Sequence, residues 1–363
     1  MVTKKSITYA AKNKKMDTTI ICCLGCGANL KFDANTQSWK CEQCGSTYSL
    51  DDLKKNTADS NINSNNQEIT SIEQPNLTVY RCQSCGAEMV TDENTTATFC
   101  VYCHNPGIIK SRLEGKFRPD YIIPFKMSKE HALAAYNRLR EGKYMTYKEF
   151  GDVNNIQKIS GVYVPFWLYN GSATGYVSGT LSTSSSHRRG NYIVTNHKEY
   201  FEERVGEMDF KNVPADGSIK FDDDTMDSIE PYDYTEMKDF NYSYLSGYLA
   251  EKYDVSNTQN EQRAKNRMEN TVMYKINNTI NGYLSNSKRE TDIKIEDVKY
   301  ALLPVWMLNT IVDGKTYTFA MNGQTGKIVG NIPLSTKMQI RYFIAIMLAA
   351  MAALSILTYF LFM

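Results

Sequence analysis

The chain has 363 residues, 42% of them hydrophobic and including 25 Tyr and 14 Phe, enough for a buried core and more than one folded unit. Its 41 basic and 40 acidic residues leave a net charge of +1, so no global field draws it to nucleic acid or an anionic surface. Any such binding has to be local.

Residues 1–19 carry five Lys, but no apolar run follows, which excludes a secretory signal. They are expected to be a flexible N-terminus, and Met16 is a second candidate start. Residues 20–50 then hold CLGCGANLKFDANTQSWKCEQC, from Cys23 to Cys44. After an Asn- and Ser-rich stretch, expected to be a flexible linker within 51–79, residues 80–110 repeat the unit as CQSCGAEMVTDENTTATFCVYC. The copies share nine identities in 22 positions, including all four cysteines: Cys23/Cys82, Cys26/Cys85, Cys41/Cys100 and Cys44/Cys103. This is a duplicated structural unit.

The spacing C-x2-C, fourteen residues, C-x2-C suits a tetrahedral site of four thiolates. Each C-x2-C pair closes a tight knuckle, and the residue after it favours positive φ, where glycine carries no steric cost. Gly27, Gly45 and Gly86 stand there, and His104 takes the fourth place. The metal ligands are therefore Cys23, Cys26, Cys41 and Cys44 in one unit, and Cys82, Cys85, Cys100 and Cys103 in the other. Zinc is the expected ion, two per chain, although four thiolates also suit iron. Disulfides would need an oxidising compartment, and a redox C-x2-C would need a βαβ context that the pattern lacks. A four-thiolate site is closed to substrate and supports folding. Each unit is too small to fold on an apolar core, so the metal takes the core's place. Cys22 is a bystander to the repeat, and His104 is an alternative to Cys103 that the repeat disfavours.

The second unit has no Lys or Arg between its outer cysteines, and Lys31 and Lys40 of the first are offset by Asp33 and Glu42. The one basic cluster, Lys110, Arg112, Lys116 and Arg118, reads as a solvated connector, with an anionic lipid or an acidic partner as the alternative. Nucleic acid is disfavoured, and the units read as protein-contact modules.

Residues 111–336 have a mixed α+β texture. YIIPFKM (121–127) reads as a strand, and a helix follows from the Ser128 cap to Gly142. Residues 159–181 and 187–208 read as aromatic and β-branched strands, 257–285 as one long helix, and 300–330 as strands joined by Asp-Gly and Asn-Gly turns. VPFWLYN (164–170) and LPVWMLN (303–309) echo each other, either as pseudo-symmetric hairpins or by chance. Gly314-Lys315-Thr316 is no P-loop, because Asn309 stands where the loop needs glycine. DDDTMDSIE (222–230) lacks the glycine and closing Glu of a calcium loop and is expected to be a solvated acidic loop. His131, His187 and His197 are isolated. No catalytic constellation or small-molecule site emerges, so the expectation is that the chain is not an enzyme.

Tyr342 to Met363 is 22 residues without a charge. As a helix it is about 33 Å long, against a hydrocarbon core of about 30 Å. A transmembrane tail anchor over 339–363 is expected. Lys327, Lys337 and Arg341 precede the span, which places the N-terminal bulk in the cytoplasm.

Together with the double cysteine unit, IPFKMSKEHA from Ile123, ISGVYVPFWLY (159–169), YLSGYLAEKYD (244–254), LPVWML (303–308), NGQTGKIVG (322–330) and the terminal span carry a resemblance. The chain resembles the membrane proteins of Firmicutes called TFIIB-type zinc ribbon-containing proteins, over essentially residues 23–363. The resemblance implies zinc on both cysteine quartets and a membrane location. Some members are encoded beside PspA-like phage-shock and SPFH-like or virion-core-like proteins, which implies such proteins as partners and a scaffold role in envelope stress. His104 departs from the Cys-Gly knuckle. The primosomal helicase name that some members carry finds no Walker motif here. The expected function is a cytoplasm-facing zinc adaptor that recruits protein partners to the bilayer. The alternative is a membrane-tethered nucleic-acid-binding protein.

Overall fold

Residues 23–28, 30–53, 77–92, 100–103, 108–111, 119–156 and 158–362 are described in a computed structural model of the chain. The basic N-terminus, Cys22, His104, the stretch 54–76 and residues 112–118 of the basic cluster lie outside them. The fold is α+β: two cysteine units, a sheet-rich body and one apolar C-terminal helix.

Both cysteine units are short three-stranded antiparallel sheets, the first a meander and the second with its first strand in the middle. In the first, β1 (Leu30–Asp33) pairs with β2 (Ser38–Cys41), and β2 with β3 (Thr47–Tyr48). In the second, β4 (Leu77–Cys82) pairs with β5 (Glu88–Asp92) and β6 (Ile108–Ser111). β4 starts inside the stretch expected to be linker, and residues 50–53 form a helical turn.

The body opens with β7 (Tyr121–Ile122) and α1 (Lys129–Arg140). Ser128 caps α1, His131 bonds back to the Ser128 hydroxyl at 3.0 Å, and Gly142 follows at φ 75°. β8 (Ser160–Arg189) and β9 (Tyr192–Asp216) make one long hairpin, followed by α2 (Asp223–Ser228), β10 (Lys238–Asp239) and β11 (Leu249–Glu251). Then come α3 (Asn257–Asn277), the second long hairpin of β12 (Leu284–Val312) and β13 (Lys315–Asn322), β14 (Ile328–Gly330) and α4 (Thr336–Phe362).

The echo between VPFWLYN and LPVWMLN is a symmetry of this body. β8 and β12 pair antiparallel, and Val164 lies opposite Leu303, its counterpart at the spacing of 139 that also relates Pro165 to Pro304. A local two-fold axis therefore passes through that pair. Gly217 N–H donates to Pro165 O at 2.7 Å, and Gly323 N–H to Pro304 O at 2.8 Å. The Trp167 indole donates to Val255 O at 2.9 Å, and the Trp306 indole to Met127 O at 2.7 Å. The symmetry includes the elements before each hairpin, at a spacing of 128: Ile122 pairs parallel with Leu302, Ala250 with Tyr163, and Ser128 and Ser256 are the helix caps. The body is two copies of one strand–helix–hairpin unit that exchange their edge strands. β7 of the first lies beside β12 of the second, and β11 of the second beside β8 of the first.

This arrangement places the cysteine units. β10 covers the outer edge of β7, while β5 covers that of β11 in an antiparallel register of Ala250 to Val90. The first unit packs with Tyr163 and Trp306 on one face of the central strands. The second extends the sheet itself: its Val79 and Val90 join that same cluster, while its Tyr80 and Met89 pack with Val162, Val164 and Leu303 on the other face. Strand alternation sorts these side chains, since successive residues point to opposite faces.

Three expectations change. The long helix ends at Asn277 rather than near Ser285, because Thr279 bonds back to Ile276 O and Gly282 at φ 139° turns the chain into β12. The acidic stretch 222–230 is not a solvated loop: Arg263 of α3 binds Asp216, Asp223 and Asp227 at 2.5–2.9 Å, and Arg267 binds Glu230 at 2.5 Å. Asp313-Gly314 is the expected two-residue turn, with φ of 49° and 75°, but Asn322-Gly323 opens a wider turn that closes at Gly326.

Candidate metal centres

The backbone builds each knuckle before any ion is considered. Gly27 N–H donates to Cys23 O at 2.8 Å and Cys23 N–H to Ala28 O at 2.6 Å, which folds Cys23 and Cys26 to one side. The same pair of bonds recurs at Cys41 (Gly45, Ser46) and Cys82 (Gly86, Ala87). Gly27, Gly45 and Gly86 have φ of 73°, 76° and 73°, the left-handed region that glycine enters freely. Asn322 makes this turn without a cysteine. Its carboxamide oxygen accepts the Gln324 and Thr325 amides at 2.9 Å, while Gly326 N–H donates to Asn322 O at 2.9 Å.

Both quartets come together as the spacing predicts. The four sulfurs of Cys23, Cys26, Cys41 and Cys44 lie within 4.8 Å of one another, as do those of Cys82, Cys85, Cys100 and Cys103. The short contacts are Cys23–Cys44 at 3.4 Å, Cys26–Cys41 at 3.5 Å, and Cys82–Cys103 and Cys85–Cys100 at 3.6 Å. A disulfide needs about 2.05 Å, so all eight are free thiols. A tetrahedron of sulfurs about 2.3 Å from its centre has edges of about 3.8 Å. The quartets fit that cage.

Their electrostatics also fit a cation. The Tyr48 hydroxyl, 3.3 Å from the Cys23 sulfur, outweighs burial with help from the Cys26 and Gly25 amides and brings that thiol down to about 6. The Ala28 amide favours the Cys26 thiolate, but the Cys41 and Cys44 sulfurs prevail and push it up to about 12. In the second quartet burial raises the Cys82 thiol, yet the Cys85 and Ser84 amides overcome this and leave it at about 7, while burial pushes Cys100 well up. Four thiolates this close repel, so without a cation only part of each quartet ionises. A bound divalent ion removes that repulsion.

The structure adds residues that the cysteine pattern did not single out. Asn309, buried on β12, donates its amide to Val101 O at 3.1 Å and Tyr102 O at 2.8 Å, and its oxygen accepts the Thr318 hydroxyl at 2.8 Å. It thereby holds the Cys100–Cys103 knuckle, the one that lacks glycine. Its only sequence signal was the Asn170/Asn309 echo. Trp39, 1% exposed, donates to Ser243 O at 3.0 Å and packs with Phe32 and Tyr244 at ring distances of 5.0 and 5.2 Å. Burying each such ring contributes about 2–3 kcal/mol, which ties the first centre to the body.

A Bacillus subtilis (strain 168) chain described as "Uncharacterized protein YdjG" is 32% identical over 315 residues, spanning 86% of this chain and 89% of that one. The chain belongs to that family. The shared length takes in most of the body, so the relationship is to the whole architecture and not to a cysteine motif alone. No family model matches the chain, and no solved structure does.

The C-terminal helix is the other candidate element. Thr336–Tyr359 is long and apolar enough to cross a membrane, and none of it is buried against the body. It begins three residues before the expected span.

Proposed function

We propose that the protein is a membrane-anchored scaffold facing the cytoplasm, with a zinc ion in each thiolate cage, that recruits protein partners to the bilayer. The observation that carries this reading is the packing of two four-cysteine groups against one body that also carries an uncovered apolar helix. Four thiolates leave no coordination position for substrate, so the ions brace surfaces and do not turn over. Zinc is favoured over iron because the cages are structural and the proposed compartment is reducing. Lys327, Lys337 and Arg341 before the helix support the inward orientation. The zinc-ribbon resemblance supports PspA-like and SPFH-like or virion-core-like partners, and through them a role in envelope stress. We take the protein to be a scaffold rather than an enzyme.

The test is crosslinking and affinity capture of the full chain from native membranes, with metal analysis of the same material. Two zinc per chain and a membrane or stress-response protein above background are expected. Fewer than two metals, or no enriched protein, overturns the scaffold. Recovery of nucleic acid, lost steeply with salt, would replace it with a nucleic-acid tether.

A further inference from the structure

We propose that the β8–β9 hairpin is a dimerisation arm that pairs edge to edge with the same arm of a second copy. β12 accompanies β8 only to the Leu181–Leu284 pair. Beyond it, Ser182–Arg189 and their partners on β9 run on for about 26 Å as a two-stranded ribbon. A lone ribbon of this kind is marginal in water and gains stability from added strands.

The outer edge of β9 is open. Among the described residues, β9 pairs with β8 and with no other strand. From Phe210 to Tyr192 its register is unbroken, with no bulge and no proline to protect the edge. The same stretch exposes Ile193 (76%), Phe201 (71%) and Val205 (66%) as well as Tyr192 and Tyr200. Regular, unpaired edges recruit another strand unless their charges repel it.

Charge on the edge selects the occupant and the register. An antiparallel pairing of two β9 strands centred on Tyr200 sets Lys198 opposite Glu202 and His197 opposite Glu203 of the second copy, each pair occurring twice. Arg204 then faces Asn196, Glu199 faces Phe201, Val205 faces Thr195 and Glu207 faces Ile193, so no like charges are opposed. Opposite residues of such a pair share a face, so these contacts are real neighbours. Glu202 also bonds Arg204 of its own strand at 2.6 Å, leaving it a charged anchor for Lys198 of the second copy. The arm is self-complementary.

The test uses the full chain in mild detergent at low salt, with mass read by sedimentation. Wild type is expected to dimerise. Lys198→Glu and Glu202→Lys each oppose like charges twice and raise the dissociation constant about tenfold or more. Mixed together, the two single variants pair with each other, and the double variant K198E/E202K regains wild-type dimerisation. Lys198 is exposed, Glu202 is half-buried beside Arg204, and both lie on the hairpin away from the cysteine quartets, so metal content stays unchanged and reports intact folding. A wild type that remains monomeric at micromolar concentration overturns the proposal. So do single variants that dimerise as well as wild type, or a mixture that fails to pair.

Discussion

Asn309→Ala tests the idea that the body, and not the cysteines alone, sets the second centre. The substitution removes three hydrogen bonds, to Val101 O, Tyr102 O and from the Thr318 hydroxyl. At about 1 kcal/mol each, and with two buried carbonyls left without a partner, the cost is about 3 kcal/mol or somewhat more. If all of it fell on the knuckle, metal affinity there would drop about 100-fold, since about 1.4 kcal/mol is a factor of ten. The assay is metal release from the full chain to a chromogenic chelator. One of the two equivalents should leave at least about tenfold faster, and the other at the wild-type rate. Asn170→Ala is the symmetry control: its amide bonds Asp297 at the surface, so both metals should stay as in wild type. Release of both equivalents at wild-type rates, or equal acceleration of both, refutes the local coupling.

Other outcomes follow from the same contacts. Trp39→Ala removes the buried ring and its bond to Ser243, at about 3–5 kcal/mol; amide exchange should quicken at residues 243–246 while the first centre keeps its metal. Tyr48→Phe deletes the hydroxyl on the Cys23 sulfur and should speed metal loss a few-fold from the first centre alone, read with the same chelator. Burial pushes the Asp216 carboxyl up to about 6 against the pull of Arg263. The folded state therefore holds this proton more tightly than the unfolded chain, and the site's contribution to stability falls as pH rises from about 4 to about 6. Asp216→Asn should gain on wild type across that window in paired thermal unfolding, whereas a difference independent of pH contradicts the assignment.

The parts read correctly from the sequence are those governed by neighbours along the chain. The cysteine spacing fixes three of the knuckles because those at Cys23, Cys41 and Cys82 are closed by backbone bonds within five residues, and the three glycines after them have the positive φ that was expected. The cap at Ser128 and the Asp313-Gly314 turn are local in the same sense. The helix ending at Asn277 was overextended because Ile280 continues the four-residue apolar step, while the Gly282 backbone that breaks it leaves no periodic trace. The acidic stretch misled because its counter-charges, Arg263 and Arg267, arrive from a helix more than thirty residues away.

By itself, then, the sequence determined two thiolate quartets, an apolar terminal helix and the periodicity of most strands, since composition and short spacings carry that information. Tertiary structure alone decided that the body is a two-fold pair with exchanged edges, that the first cysteine unit docks on one face of it and that the second prolongs its sheet. It also decided that Asn309 steadies the irregular knuckle. Those facts rest on strands and side chains separated by up to about two hundred positions, and a contact of that range is written in the packing of the folded chain, where pairing register and burial bring distant residues together.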